Sequence, residues 1–198
     1  MLAGHFGLAA IVKAMEPKVP LWVLMASTQL LDIVFIPLLL TGAESIDKIG
    51  DGGYGEAVIH ADYTHSLAGA LLIAIVAALI SWRIWNKRSA AIIGSLVFSH
   101  WLIDLLVHRS DMPLLPGNFG DFPLLGFGLW KLPAISALLE LSLVLAGACL
   151  YIWSIKKRLA KQNQAGASAP VHSKRTYGAG WIMAAFLILT FAADYFSL

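Results

Sequence analysis

The chain has 198 residues, of which 59% are hydrophobic and 13% charged, against about 25% charged in an average soluble protein. A soluble domain of this length has too little interior to bury so much apolar surface, so the composition excludes a soluble globular enzyme. The net charge of +2 does not favour a nucleic-acid partner, and the single cysteine, Cys149, excludes a disulfide within the chain.

Five segments are apolar over the roughly 20 residues that a membrane-spanning helix needs. In chain order they are 20–41, 64–84, 90–109, 128–154 and 177–197. A shorter apolar stretch, 3–14, is followed by Pro17 and Pro20, which predict a break before the first span. We therefore predict an all-α integral membrane protein, one domain over 1–198, with about five spans and a short N-terminal half-helix that is re-entrant or interfacial.

Charged residues alternate between the two ends of the predicted spans. Most of the 14 lysines and arginines lie in the segments 13–18, 83–88 and 156–175, whereas most acids lie in the other loops. By the positive-inside rule the basic segments are cytoplasmic and the C-terminus is outside. The composition of 159–176 predicts a flexible cytoplasmic linker before the last span.

Several ionisable side chains fall inside the predicted helices. Each costs about 2.5–3.5 kcal/mol in a bilayer, so their presence favours a functional role. They are His5, Asp32, His65, His100, Asp104 and Glu140. A rise of about 1.5 Å per residue places all but His65 in one layer, roughly 15–21 Å from the inner end, and His65 roughly 28 Å up, nearer the outer rim.

One face of the third span carries three ionisable residues. His100, Asp104 and His108 follow i, i+4, i+8 spacing, and histidine nitrogen with carboxylate oxygen favours a divalent transition metal. Zinc is the first choice, with manganese or iron as alternatives. Such an ion neutralises buried acids and makes a bound water nucleophilic at neutral pH. Taken singly, an intramembrane histidine is more often a hydrogen-bonding partner between helices.

Four stretches also carry a family resemblance: Gly4-His5, Leu31-Asp32-Ile33, His60 to Leu67, and Ser99 to Asp104. In these motifs the sequence resembles the bacterial membrane-bound metal-dependent hydrolases, a group that includes a LexA-regulated inner-membrane protein. The likeness covers roughly 1–115. A subgroup with no assigned activity shares more, including 107–111, 126–130 and Glu140.

The resemblance implies a metal-dependent hydrolase in the bacterial inner membrane. The metal ligands it implies are His5, Asp32, His65, His100 and Asp104. Three positions depart from the family's motifs: Leu31 stands where a proline is usual, Val34 where an acid is usual, and Ala61 where an arginine is usual. The missing acid and the missing arginine remove support for a second metal and for a phosphate-binding arginine at position 61. Arg109 is the candidate to bind phosphate in its place.

Further residues complete the predicted site. Glu140 or His108 is expected to act as general base or acid, with Arg109 on a phosphate group. Supporting or substrate-contacting roles are expected for His60, Tyr63, Thr64, Ser66 and Asp111. Thr64 and Ser66 are also expected to cap the second span, with Thr64 as the N-cap residue.

The outer loop 110–130 is rich in glycine, proline and phenylalanine, which suits a segment lying in the membrane interface. We therefore expect membrane lipids as partners and a lipid-like or amphiphilic ester or phosphoester as substrate. Two other classes use the same residues: a proton- or ion-coupled transporter or channel, and a non-catalytic scaffold with a structural metal. The sequence defines no oligomeric state.

Overall fold

The computed structural model describes residues 1–50, 53–164 and 170–196. Its elements in chain order are α1 (Leu2–Met15), α2 (Leu21–Thr28), α3 (Leu30–Thr41), β1 (Ser45–Lys48), β2 (Ala57–His60), α4 (Leu67–Ile84), α5 (Lys87–Val107), α6 (Pro133–Gln164) and α7 (Pro170–Phe196). Single 3-10 turns lie at Pro116–Asn118 and Leu129–Lys131. The predicted all-α membrane fold is confirmed, with a short antiparallel hairpin, β1–β2, added at one end.

Among the described residues, four helices, α4 to α7, contain stretches long and apolar enough to cross a membrane. The pair α2 and α3, bent by 52° at a break, has the length and composition of a fifth if it crosses as one span. The bend lies at Gln29. Just before it, the Ser27 and Thr28 hydroxyls donate to the carbonyls of Val23 and Met25 at 2.7 and 2.9 Å. Hydroxyls that bond back into a helix commonly bend it. The bend directs α3, with Asp32 in its first turn, across α5.

The short helix α1 lies inside the bundle, folded back beside α6. Gly7 of α1 meets the backbone at Leu143, and Gly147 of α6 meets the backbone of Gly7, so a methyl group at either glycine would overlap main-chain atoms. Small residues allow this close approach between membrane helices. The packing carries His5 into the interior of the protein.

Two carboxylates hold the start of α1. Asp194 of α7 accepts from the Leu2 amide at 3.0 Å, and Glu140 of α6 accepts from the Gly4 amide at 3.0 Å. These amides have no partner within the helix, and the positive end of the helix dipole favours an anion there. At the other end of α1, Arg158 Nη2 donates to the Lys13 carbonyl at 3.1 Å.

The basic turns gather at one end of the bundle. Arg88 Nη2 lies 2.7 Å from Glu16 Oε2, which joins the turn after α1 to the start of α5, and the contact of Arg158 with Lys13 adds the end of α6. The β1–β2 hairpin and the segment 108–132 lie at the opposite end. We call these the basic end and the hairpin end.

Two predicted boundaries are corrected. Helix α6 begins at Pro133 rather than at 128, because Gly128 is left-handed (φ 73°) and proline suits the first turn of a helix. The predicted flexible linker 159–176 is wrong at both edges, since α6 continues to Gln164 and α7 begins at Pro170. Lysine, alanine and glutamine are good helix formers and extend α6. The rest of the predicted linker, 165–169, lies outside the described residues.

Candidate metal centre

Five of the predicted site residues converge near the hairpin end. His5 comes from α1, Asp32 from α3, His65 from the turn before α4, and His100 and Asp104 from one face of α5. All except Asp32 are almost fully buried. Two sets of three have ligand atoms close enough to share one ion: His5, His100 and Asp104, and Asp32, His65 and His100.

Three ligand atoms have the spacing of three corners of a tetrahedral site, and a fourth lies beside them. His65 Nε2, His100 Nε2 and Asp32 Oδ1 are separated by 3.4, 3.4 and 3.5 Å. Asp104 Oδ2 lies 2.9 Å from His100 Nε2 and 3.6 Å from His65 Nε2. Ligand atoms about 2.1 Å from a zinc ion at tetrahedral corners lie about 3.4 Å apart. Asp32, His65 and His100 could therefore hold one ion with little rearrangement, and Asp104 is the candidate for a fourth ligand.

The other ring nitrogens fix which face of each histidine is free. His100 Nδ1 donates to the Thr28 carbonyl at 2.6 Å, because a carbonyl oxygen can only accept. His65 Nδ1 lies 2.9 Å from Thr64 Oγ1. With Nδ1 carrying the hydrogen, a neutral imidazole presents a lone pair at Nε2, the atom that points into the cluster in both residues. Metal-binding histidines usually have such a partner behind the ring.

His5 makes different contacts from His65 and His100. Its Nε2 lies 3.2 Å from Asp104 Oδ1, and its ring stacks on His100 with centroids 3.9 Å apart. His5 Nδ1 is buried and has no hydrogen-bond partner among the described residues. Binding a metal through Nε2 would leave a hydrogen on Nδ1 unsatisfied, which is costly in an interior. The contacts fit a donor to Asp104 better than a direct ligand.

A fourth histidine lies at the edge of the cluster. His108 Nδ1 is 3.0 Å from Asp111 Oδ1, its Nε2 is 3.8 Å from Asp104 Oδ2, and its ring packs on Trp130 with centroids 4.4 Å apart. Asp111 Oδ2 also accepts from the Ile59 amide at 3.2 Å, which ties this pair to β2. The arrangement leaves His108 Nε2 facing the cluster with a carboxylate behind its ring.

A cavity of about 140 Å³ adjoins the cluster. Its lining includes His5, Asp32, His65, Asp104 and His108, with Phe35, Ile59, Trp130 and Asp194. The side chain of Asp32 is 42% exposed, whereas those of His65, His100 and Asp104 are 5% exposed or less. The cluster is therefore accessible from the side of Asp32 and closed elsewhere.

The depth expected for His65 is wrong. His65 lies level with His100, not at the outer rim, because the chain turns at 62–66 before α4 begins at Leu67. A helical rise does not apply to those residues. Of the two expected caps, Ser66 is confirmed, since its Oγ accepts from the Gly69 amide at 3.0 Å. Thr64 is wrong as a cap, since it faces Glu44 and His65.

Glu140 was expected beside the cluster, but its contacts lie elsewhere. Its carboxylate is fully buried and accepts from the Gly4 amide and from Tyr54 Oη at 2.7 Å. Burial, together with the nearby Glu140 carboxylate, raises the pKa of Tyr54 above its usual value, so Tyr54 remains a hydrogen donor. These contacts assign Glu140 to holding α1 and the 53–56 loop.

Three other predicted residues also lie away from the cavity lining. Arg109 Nη2 donates to the Gly55 carbonyl at 3.3 Å, which supports the same loop. His60 is exposed and pairs with Asp47 across the hairpin at 3.0 Å. The Tyr63 side chain is about half exposed. None of the three belongs to the described cavity lining.

Sequence reasoning missed Glu44, the Thr28 carbonyl and Asp194. Asp194 is an acid in the last span, so the rule applied to the other intramembrane acids would have found it. Glu44 looked like one loop acid among several. The Thr28 carbonyl carries no signal in the sequence, because any residue supplies that group.

Comparisons of the chain with models of protein families, with curated proteins and with solved structures found no match. The likeness of its motifs to the membrane-bound metal-dependent hydrolases stays a prediction.

Proposed function

We propose that the protein is a membrane-embedded metal-dependent hydrolase that acts on a lipid-like or amphiphilic ester or phosphoester, with zinc as the metal. The observation that carries the proposal is the spacing of His65 Nε2, His100 Nε2 and Asp32 Oδ1, which fits three corners of a tetrahedral site. Asp104 Oδ2, 2.9 Å from His100 Nε2, is the candidate for the fourth corner. A histidine carrying a carboxylate partner lies beside them and faces the same cavity.

The donor set supports a transition metal. Two imidazole nitrogens with two carboxylate oxygens suit zinc, manganese or iron better than magnesium or calcium, which prefer all-oxygen sites. Asp32 and Asp104 also bring two negative charges to the cluster, and Asp104 is buried in an apolar bundle, where a charge needs a partner. A divalent cation balances that charge and, when bound, makes a water molecule nucleophilic at neutral pH.

His108 is the proposed general base. Asp111 holds the hydrogen on Nδ1, so the Nε2 lone pair is available to accept a proton from water in the cavity. The same nitrogen can then return the proton to the leaving group. Trp130 packs against the ring and fixes its plane. Glu140, whose oxygens are occupied by Gly4 and Tyr54, is assigned a positioning role instead.

The surroundings of the cavity support an amphiphilic substrate. A second cavity of about 270 Å³ shares Met1, Trp130 and Asp194 with the first and is also lined by Tyr54. The ring of Tyr54 lies 5.7 Å from that of Tyr195, which borders an apolar groove of about 500 Å³ between α6 and α7. We propose that the polar group of the substrate lies in the two cavities and that its acyl chain lies in the groove.

We further propose the bacterial inner membrane as the location, with the basic end cytoplasmic and the hairpin end outside. The gathering of Lys13, Arg88 and Arg158 at one end supports this orientation through the positive-inside rule. Exposed Phe119 and Phe127 in the loop at the hairpin end suit the opposite interface.

The test is hydrolysis of 4-nitrophenyl esters and 4-nitrophenyl phosphoesters, each with a short and a long alkyl chain, by purified protein in detergent micelles. We expect release of 4-nitrophenol, faster with the long chain, that is lost with a chelator and restored by zinc. No release with any of the four substrates after zinc addition would contradict the proposal. Proton flux across vesicles in its place would favour the transporter.

A further inference from the structure

Glu44 is a buried acid in the short connection between α3 and β1. It is 2% exposed, and its Oε1 accepts from the backbone amides of Tyr63 and Thr64 at 2.9 and 2.8 Å. Thr64 Oγ1 lies 3.1 Å from both carboxylate oxygens. Glu44 thus accepts hydrogen bonds from the turn that carries His65.

The donors and acceptors present fix the direction of the hydrogen bonds that run from His65 through Thr64 to Glu44. Thr64 Oγ1 has one hydrogen and lies between the Glu44 carboxylate and His65 Nδ1, 2.9 Å away. If that hydrogen pointed to His65, the hydroxyl lone pairs would face carboxylate oxygens at 3.1 Å with no hydrogen between them. Donation from Thr64 to the Glu44 carboxylate, and from His65 Nδ1 to Thr64, places one hydrogen between each pair of neighbouring side chains.

We propose that Glu44 is a positioning residue which, through the Thr64 hydroxyl, holds His65 in the tautomer whose Nε2 lone pair faces the cluster. The inference rests on the proposed metal site. It adds a role for an acid that does not touch the cluster and explains why Thr64 does not cap α4. A carboxylate behind a ligating histidine, here through one hydroxyl, is the usual way to fix the ligand's tautomer and orientation.

Glu44→Gln is an informative variant because it keeps the shape of the side chain. Its amide oxygen, in place of Oε1, has two lone pairs, and the Tyr63 and Thr64 amides occupy both. Its NH₂ group, in place of Oε2, then faces the Thr64 hydroxyl. That donor turns the hydroxyl hydrogen toward His65 Nδ1, so the imidazole hydrogen moves to Nε2 and blocks the ligand position. Thr64→Val removes the hydroxyl at nearly constant volume, and Thr64→Ser keeps it.

The first measurement is the tautomer of His65 in metal-free protein, from the ring-nitrogen shifts of ¹⁵N-histidine-labelled samples, with His65→Gln to assign the signals. We expect the Nδ1–H form in wild type and in Thr64→Ser, and the Nε2–H form in Glu44→Gln. The same tautomer in wild type and Glu44→Gln would overturn the inference. This result does not depend on whether the protein binds metal.

The second measurement is zinc affinity by competition with a chromophoric chelator, on proteins whose thermal unfolding midpoints are matched. Loss of a partner behind a ligating histidine typically weakens metal binding about 10–100-fold, which we expect for Glu44→Gln and Thr64→Val. Thr64→Ser should restore most of the affinity. Asp47→Asn, an exposed acid-to-amide change on the adjacent β1, is the matched control and should bind like wild type.

Each outcome separates the two ideas. Wild-type affinity in both Glu44→Gln and Thr64→Val would overturn the role of Glu44 while leaving the metal site intact. Failure of wild type to bind zinc would instead contradict the proposed function. The tautomer measurement would still decide whether Glu44 sets the tautomer of His65.

Discussion

Gly147 of α6 lies directly against the backbone of Gly7 in α1, so the two helices touch main chain to main chain. This contact fixes the depth at which α1 enters the bundle and thereby places His5 against Asp104. Gly147→Val should destabilise the protein by about 1–3 kcal/mol, since an overpacked contact forces the backbone to shift. We also expect weaker metal binding, because His5 moves with α1.

Thermal unfolding in detergent and zinc affinity test this prediction. Gly178→Ala is the control for enlarging a helical glycine, since a methyl group there would meet no atom of the described part of the chain within 4 Å. A Gly147→Val protein with wild-type unfolding temperature and affinity would show that the close helix contact does not position the site.

His5 and His100 should respond differently to removal. His100→Ala deletes a nitrogen at the centre of the cluster and should abolish binding of the ion. His5→Ala should retain the ion with about 10–100-fold lower affinity, as expected for loss of a donor to a ligating carboxylate. Metal stoichiometry at saturating zinc separates the two cases. Complete loss of the ion in His5→Ala would make His5 a ligand.

Asp111→Asn should leave metal content unchanged and slow hydrolysis. Its amide can donate to His108 Nδ1, which favours the tautomer with a hydrogen on Nε2 and removes the proposed base. General base catalysis typically contributes about 10²–10⁴-fold, so kcat should fall within that range. The kcat of His108→Ala should fall by a similar factor. Unchanged kcat in both variants would exclude the proposed pair.

Ser66→Ala should lower stability without removing the ion. Ser66 Oγ accepts from the Gly69 amide at the start of α4, and loss of such an N-cap costs about 1 kcal/mol. The unfolding midpoint is the readout, with zinc stoichiometry measured on the same sample. An unchanged midpoint would show that the cap adds nothing in this bundle.

The membrane fold could be predicted because lipid imposes a simple rule on sequence: about 20 apolar residues for each span. All five predicted spans overlap observed helices. The bend at Gln29 was not predicted, since it depends on which way the Ser27 and Thr28 hydroxyls point. The β1–β2 hairpin was missed because its four-residue strands carry no strong alternation.

Helical spacing brought His100 and Asp104 together from sequence alone, since residues four apart share a face. The depth count also placed His5 and Asp32 near them. It failed for His65, which lies in a turn, and for Glu140, whose depth was right but whose partners are Gly4 and Tyr54. Depth along a helix says nothing about the direction in which a side chain points around the axis.

The most direct test of the central claim is metal content by mass spectrometry of detergent-purified protein, prepared without chelator and after adding zinc back. The comparison is wild type with His100→Ala and Asp104→Ala, and Asp47→Asn is the control. We predict about one equivalent of a transition metal in wild type and the control, and none in the two cluster variants. No bound metal in wild type, or equal metal in all four proteins, would contradict the account.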